Sequence, residues 1–211
     1  IPKIAEADFQ VSDAATEKKK LITKANLIAQ NFFKANLKSL PSQHPVLDYV
    51  KKRGLSSEII ETFHIGYSTD NWEGLVQELE SKKIPLKVAE EAKLIKARTN
   101  GKSGFFDLFR ERLMFPISSM MGEPIGFGGR IISQGEPKYL NSPETPVFHK
   151  GKIFYGLSQT AKYIRTEDQA IIVEGYMDLI SLFAAGIRNV AATMGTALTF
   201  DHGKMLSRMT K

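Results

Sequence analysis

The run Glu174-Gly175-Tyr176-Met177-Asp178 stands where the apolar segment Ala170-Ile171-Ile172-Val173 gives way to an amphipathic one. Two carboxylates this close, at the junction of a buried strand and a helix, fall at the carboxyl edge of a sheet, where open α/β sheets gather ligands. Gly175 lets the backbone turn sharply between them. Hard oxygen donors at such an edge suit a divalent cation, because Mg²⁺ takes one or two protein carboxylates and keeps its other positions for water or phosphate. A second reading stays open: Asp178 balances the positive end of the helix and Glu174 faces water.

A set of cations precedes this edge. Arg110 and Arg112 flank Glu111, Arg130 follows Gly126-Phe127-Gly128-Gly129, Lys138 lies in Pro137-Lys138-Tyr139, and Lys150 follows Phe148-His149. In an extended segment Arg110 and Arg112 point to one face, and guanidinium forks match phosphate oxygens. The set reads either as a phosphate-binding surface or as a solvated face with local ion pairs. Glycines 126, 128 and 129 have the wrong spacing for a dinucleotide fingerprint and lead into Arg130-Ile131-Ile132 rather than a helix, which marks a strand of close approach. Tyr176 reads as a packing residue, Trp72 as core and His149 as exposed.

The elements that must position these residues follow from periodicity. Ser12 or Asp13 caps a long helix to about Lys38, with Leu21, Ala25, Ile28 and Phe32 at helical spacing. Val46–Arg53 is a short helix stopped by Gly54, and Ser56 or Ser57 opens another over Glu58–Phe63. Ile65–Ser68 is strand-like, Trp72, Leu75, Val76 and Leu79 mark a helix, and Pro85 starts one over Leu86–Lys93. Leu113–Ile117 and Pro124–Gly128 form a hairpin through Met121-Gly122-Glu123, and residues 137–146 form a polar loop. Ser158 caps a helix through Ile164. Ala170–Val173, buried on both faces, then helix Tyr176–Ala185 and strand Asn189–Ala192 make one βαβ unit, with a further helix over Thr199–Met209. The fold class is therefore α+β with an α/β end: a mixed helical and mixed-sheet part, then the start of a Rossmann-like βαβ domain, divided near residue 158.

Composition narrows the partners. The 211 residues are 42% hydrophobic and 25% charged, without cysteine. That excludes disulfides, iron–sulfur clusters and thiolate zinc sites, and His44, His64, His149 and His202 show no ligand spacing. No apolar run reaches the roughly 18 residues of a membrane-spanning helix. A net charge of +6 permits a nucleic-acid or phosphate partner without requiring one. The start at Ile1 and the helical tail Ser207–Lys211 both read as cuts in a longer chain.

Taken in order, Phe109-Arg110-Glu111-Arg112-Leu113-Met114-Phe115-Pro116-Ile117, Gly126-Phe127-Gly128-Gly129-Arg130, Pro137-Lys138-Tyr139-Leu140-Asn141-Ser142-Pro143-Glu144-Thr145, Phe148-His149-Lys150-Gly151, Tyr155-Gly156-Leu157 and Glu174-Gly175-Tyr176-Met177-Asp178, with Gly195-Thr196 downstream, resemble the bacterial DnaG-type primases from about residue 44 onward. The resemblance implies a linker-side segment over 1–43, a basic α/β subdomain of the catalytic core over 44–157 and the first part of a Toprim domain over 158–211. It implies a DNA-directed RNA polymerase, a nucleotidyltransferase making RNA primers on single-stranded DNA from ribonucleoside triphosphates in the bacterial cytoplasm at the replication fork. Glu174 is then the Toprim glutamate holding Mg²⁺ or Mn²⁺, with Asp178 its acidic partner. Arg53, Arg110, Arg112, Arg130, Lys138, Asn141 and Lys150 are then the nucleotide- and template-binding residues.

The family's zinc-binding and helicase-interacting domains do not match any segment, so zinc and a replicative helicase are not expected partners of this chain. The Asp-x-Asp motif of the Toprim fold occurs nowhere in it, which predicts an incomplete cation site and a chain that binds nucleic acid but makes little primer alone. A Toprim nuclease or topoisomerase shares the glutamate motif but not the Lys138–Thr145 loop, and a non-catalytic single-stranded DNA-binding module is the other alternative.

Overall fold

The computed structural model describes residues 3–99 and 103–211, with side chains from residue 14 onward. A 36-residue helix, α1 (Lys3–Lys38), opens the chain. It begins upstream of Ser12 and Asp13, which are interior rather than caps. Its buried stripe also differs from the expected one. Ile22, Ala25, Ala29, Phe33 and Leu37 are buried, whereas Leu21 is exposed and Ile28 and Phe32 only half-covered. Apolar residues at adjacent positions offer two overlapping stripes, and the sheet under α1 selects one.

Short helices α2 (Pro45–Lys52) and α3 (Ser57–Thr62) follow. Gly54 adopts the expected left-handed turn (φ 67°) after α2, and the Ser56 hydroxyl caps α3 by accepting from the Ile59 N–H. After strand β1 (Gly66–Ser68) come α4 (Gly74–Ser81) and α5 (Leu86–Glu91). The hairpin of β2 (Ile95–Ala97) and β3 (Phe105–Asp107) has no counterpart in the sequence reading. Both strands are three residues long, too short for a readable alternation.

Strands β4 (Arg112–Ser118) and β5 (Pro124–Ile131) pair antiparallel as expected, and β1 adds to β4's other edge. The supposed loop at 137–146 contributes a fourth strand, β6 (Tyr139–Asn141), paired to β5. Each face of this sheet, ordered β1-β4-β5-β6, is covered. Met114 and Phe127 join α1, α4 and α5 in one core, while Leu113, Phe115, Ile117 and Ile125 join α2, α3 and the later helix α7 (Tyr176–Ala184) in another. The period-two alternation of β4 thus serves two helical layers.

The βαβ unit closes the chain. Helix α6 (Leu157–Glu167) starts one residue before Ser158 and is entered through Gly156. That glycine has φ 78°, and a Cβ there would lie 2.6 Å from the Leu179 side chain, so Ser158 is inside the helix. Strands β7 (Ile171–Val173) and β8 (Val190–Ala192) pair in parallel across α7. Ile171 and Val173 face the α7 side and Ile172 the α6 side. The strand is half-buried rather than sealed, because β8 is its only partner among the described residues. Helix α8 (Phe200–Leu206) is capped by Thr199.

Candidate nucleic-acid and cation site

Glu174 follows the last residue of β7 and Asp178 stands in the first turn of α7, so both reach the carboxyl edge of the parallel pair. They line a cavity of about 410 Å³ together with Asn141, Lys150 and Thr196. Glu174 is exposed and forms no ion pair among the described residues. One Asp178 oxygen accepts the Gly175 N–H at 3.2 Å, so this carboxylate caps its own helix while standing at the cavity. No group of three or more His, Cys, Asp or Glu side chains gathers around a point among the described residues. One free carboxylate and one half-used carboxylate fit a largely hydrated divalent cation, which takes few protein ligands. They do not fit a caged one.

The cations divide. Arg110 and Arg112 do not share a face, because Glu111 has φ 52° and breaks the extended path. Arg110 instead lies over the Trp72 ring at 3.9 Å, near Phe106 at 5.5 Å, and donates to the Asp107 main-chain carbonyl. Trp72 is 53% exposed; the sequence reading placed it in the core because its apolar neighbours Leu75, Val76 and Leu79 are buried. It precedes α4 rather than belonging to its stripe. Arg112 is buried and donates to the carbonyls of Pro137 (2.9 Å) and Gly129 (3.4 Å). It ties the start of the 137–146 segment to β5, and burial pulls its pKa below the usual arginine value.

Arg130 is 8% exposed, its guanidinium 4.3 Å from the Tyr49 ring and 5.5 Å from the Tyr139 ring. Its Nε and Nη1 have no hydrogen-bond partner. A buried cation held by two aromatic rings, with donors to spare and no carboxylate, is a costly arrangement until an anion completes it. Arg53 lies 5.4 Å over Tyr49. Arg53, Tyr49, Arg130 and Tyr139 therefore form a file from α2 towards Tyr176, whose ring is 5.7 Å from Tyr139 at the cavity edge. Tyr49 escaped sequence reasoning because a single tyrosine on a short amphipathic helix gives no signal of its own. Lys138 is exposed at the head of β6, and Lys150 lines the cavity.

Tyr176 is 3% exposed and packs on Phe115 with ring centroids 4.7 Å apart. A Cβ on Gly128 would meet its ring at 2.7 Å, which is the close approach that the glycine-rich strand predicts. Burial pushes the Tyr176 phenol above the usual tyrosine range.

Two family models cover the chain: the N-terminal domain of the DNA primase catalytic core over residues 32–168 and the Toprim domain over residues 168–211. A DNA primase of Pseudomonas putida is 46% identical over 182 residues, covering 86% of this chain and 27% of that protein. One from Synechococcus elongatus is 45% identical over 183 residues, covering 86% and 26%. The chain thus spans about a quarter of the length of these relatives. Among solved structures, the DnaG primase catalytic domain bound to single-stranded DNA superposes with a TM-score of 0.84 at 34% identity, over 92% of this chain and 62% of that one. A DNA primase domain from Pseudomonas aeruginosa gives 0.82 at 41% identity, over 90% and 59%. Matched by the two family models over residues 32–211 and 46% identical to a DNA primase over 86% of its length, the chain belongs to the bacterial DnaG-type DNA primase family.

Proposed function

We propose that this chain forms the template- and nucleotide-binding part of a primase catalytic core, residues 44–157 supplying the basic surface and 158–211 the Toprim carboxylates. The reaction is nucleotidyl transfer in the bacterial cytoplasm: a primer 3′-hydroxyl attacks the α-phosphate of a ribonucleoside triphosphate on single-stranded DNA, and pyrophosphate leaves. The observation that carries this reading is Arg130, a buried guanidinium with two orphan nitrogens, one tyrosine ring (Tyr139) away from the cavity that Glu174 lines. Phosphate oxygens would satisfy those nitrogens.

Glu174 would hold Mg²⁺ or Mn²⁺, with Asp178 restraining the turn that presents it. The cation, when bound, stabilises charge on the phosphoryl oxygens. Arg53, Arg130 and Lys150 neutralise triphosphate charge around the cavity, and Tyr49 and Tyr139 keep Arg130 in place by their ring faces. Arg112 orders the segment that carries Lys138. Arg110 and Trp72 extend the surface beyond the cavity, a cation beside an exposed ring, which suits a single strand whose phosphates and bases both need partners. A replicative helicase has no expected docking site on these residues.

Fluorescence anisotropy with a single-stranded oligonucleotide tests the assignment. Lys138→Ala should weaken binding and lower the log–log salt slope by roughly 0.7, while Lys19→Ala on α1 should do neither. Equal losses from the two would refute the proposal.

A further inference from the structure

Asn141 has both ends of its amide engaged by protein. Its Nδ2 donates to the Met194 carbonyl at 3.3 Å, and its Oδ1 accepts from the Tyr176 hydroxyl at 3.4 Å. It stands on β6, paired to Gly128 of β5, so one side chain fastens the edge of the basic sheet to two points of the βαβ unit. Those points flank the carboxylates. Tyr176 lies two residues after Glu174, and the loop after β8 is tied back to the end of β7: the Thr193 N–H donates to the Val173 carbonyl at 3.1 Å and the Gly195 N–H to the Glu174 carbonyl at 3.0 Å.

The loop is not in a relaxed conformation. Met194 is buried with φ 62°, a left-handed region that a non-glycine residue occupies only when its surroundings hold it there. Its carbonyl is the one that Asn141 meets. An amide suits this place because it offers a donor and an acceptor on one planar group. Aspartate would face the Met194 carbonyl with an acceptor, and leucine of similar volume would offer neither.

We infer that Asn141 is a positioning residue that locks the 193–196 loop, and through it the Glu174 backbone, against the basic sheet, rather than a ligand of nucleotide or template. The inference refines the proposed function, since it assigns what aligns the basic wall of the cavity with its carboxylate wall. Each end of the amide already meets a protein partner without any ligand, whereas Arg130 Nε and Nη1 meet none.

Hydrogen–deuterium exchange on the 211-residue chain, without nucleic acid or nucleotide, tests it, so a role as ligand cannot contribute to the readout. In Asn141→Leu the amides of 193–196, Gly195 above all, should exchange about tenfold faster or more, with β4 and the 22–37 part of α1 unchanged. Asn141→Asp keeps the acceptor for Tyr176 and has no donor for Met194, and should speed the same segment without loosening the core. Tyr176→Phe alone should leave 193–196 within about twofold of the parent. Unchanged exchange at 193–196 in both Asn141 variants overturns the inference, and so does a uniform acceleration across the whole chain. Because no oligonucleotide is used, failure of the proposed template binding would leave this comparison intact.

Discussion

Asp107 closes the N-terminus of α4 from a different element. Its two carboxylate oxygens accept the Leu75 N–H at 2.8 Å and the Val76 N–H at 3.0 Å, and α4's own preceding residue, Glu73, forms no side-chain cap. Asp107 is 5% exposed, and the nearby Arg110 donates to its main-chain carbonyl, its charge lowering the carboxyl's pKa by less than burial raises it. Burial outweighs the two N–H bonds and pushes the Asp107 carboxyl up from 3.8 to about 6.

The folded-state value lies above the unfolded one, so folding favours the protonated acid. Below pH 4 both states hold the proton and the stabilisation is complete. Between about pH 4 and pH 6 the unfolded chain releases its proton first, and stability falls as pH rises. Above pH 6 the loss is complete. At 1.36 kcal/mol per pH unit, the interval corresponds to about 3 kcal/mol.

Asp107→Asn removes this dependence. It keeps one acceptor, strands one buried N–H at a cost of about 1–3 kcal/mol, and carries no charge to bury. The variant should be the less stable protein at pH 4.5 and match or exceed the parent at pH 8. Urea unfolding followed by circular dichroism at the two pH values measures this. Taking the difference between parent and variant cancels the titration of every other group. A difference that does not change with pH, or that favours the parent more at pH 8, would mean that the helix N-terminus keeps Asp107 ionised throughout and that the balance drawn above is wrong.

Other outcomes follow from the packing. Phe33→Ala should cost about 3–5 kcal/mol in thermal or urea unfolding and Phe32→Ala clearly less, because Phe33 is 1% exposed and Phe32 only half-covered. Gly128→Ala should cost about 1–3 kcal/mol, since the new methyl meets the Tyr176 ring; an unaffected melting temperature would show that the ring yields freely. Arg130→Met should leave the melting temperature equal or higher while weakening oligonucleotide binding, because it removes a buried cation without a carboxylate partner. Trp72 is the sole tryptophan and is exposed, so oligonucleotide binding along the Arg110 side should quench the chain's tryptophan fluorescence.

Local pattern carried the parts of this molecule that local pattern can specify. The apolar run before Glu174, the helix after Gly175 and the strand Asn189–Ala192 made the βαβ unit legible, and with it the edge where Glu174 and Asp178 stand. Their roles there remain part of the proposal. Gly54 and Ser56 announced the boundaries of α2 and α3, because a left-handed turn and a helix cap are set by single residues. The remaining decisions belonged to contacts between distant segments. Which stripe of α1 is buried depends on the sheet beneath it, and the sequence holds two stripes of similar hydrophobicity. That Arg110 and Arg112 part company depends on one positive φ at Glu111, which no side-chain pattern encodes. Asp107 caps a helix 32 residues away, and Asn141 reaches a carbonyl 53 residues away. Periodicity records which residues are apolar and which are polar, but a polar side chain's partner is fixed only when the chain has folded and brought it within hydrogen-bond range.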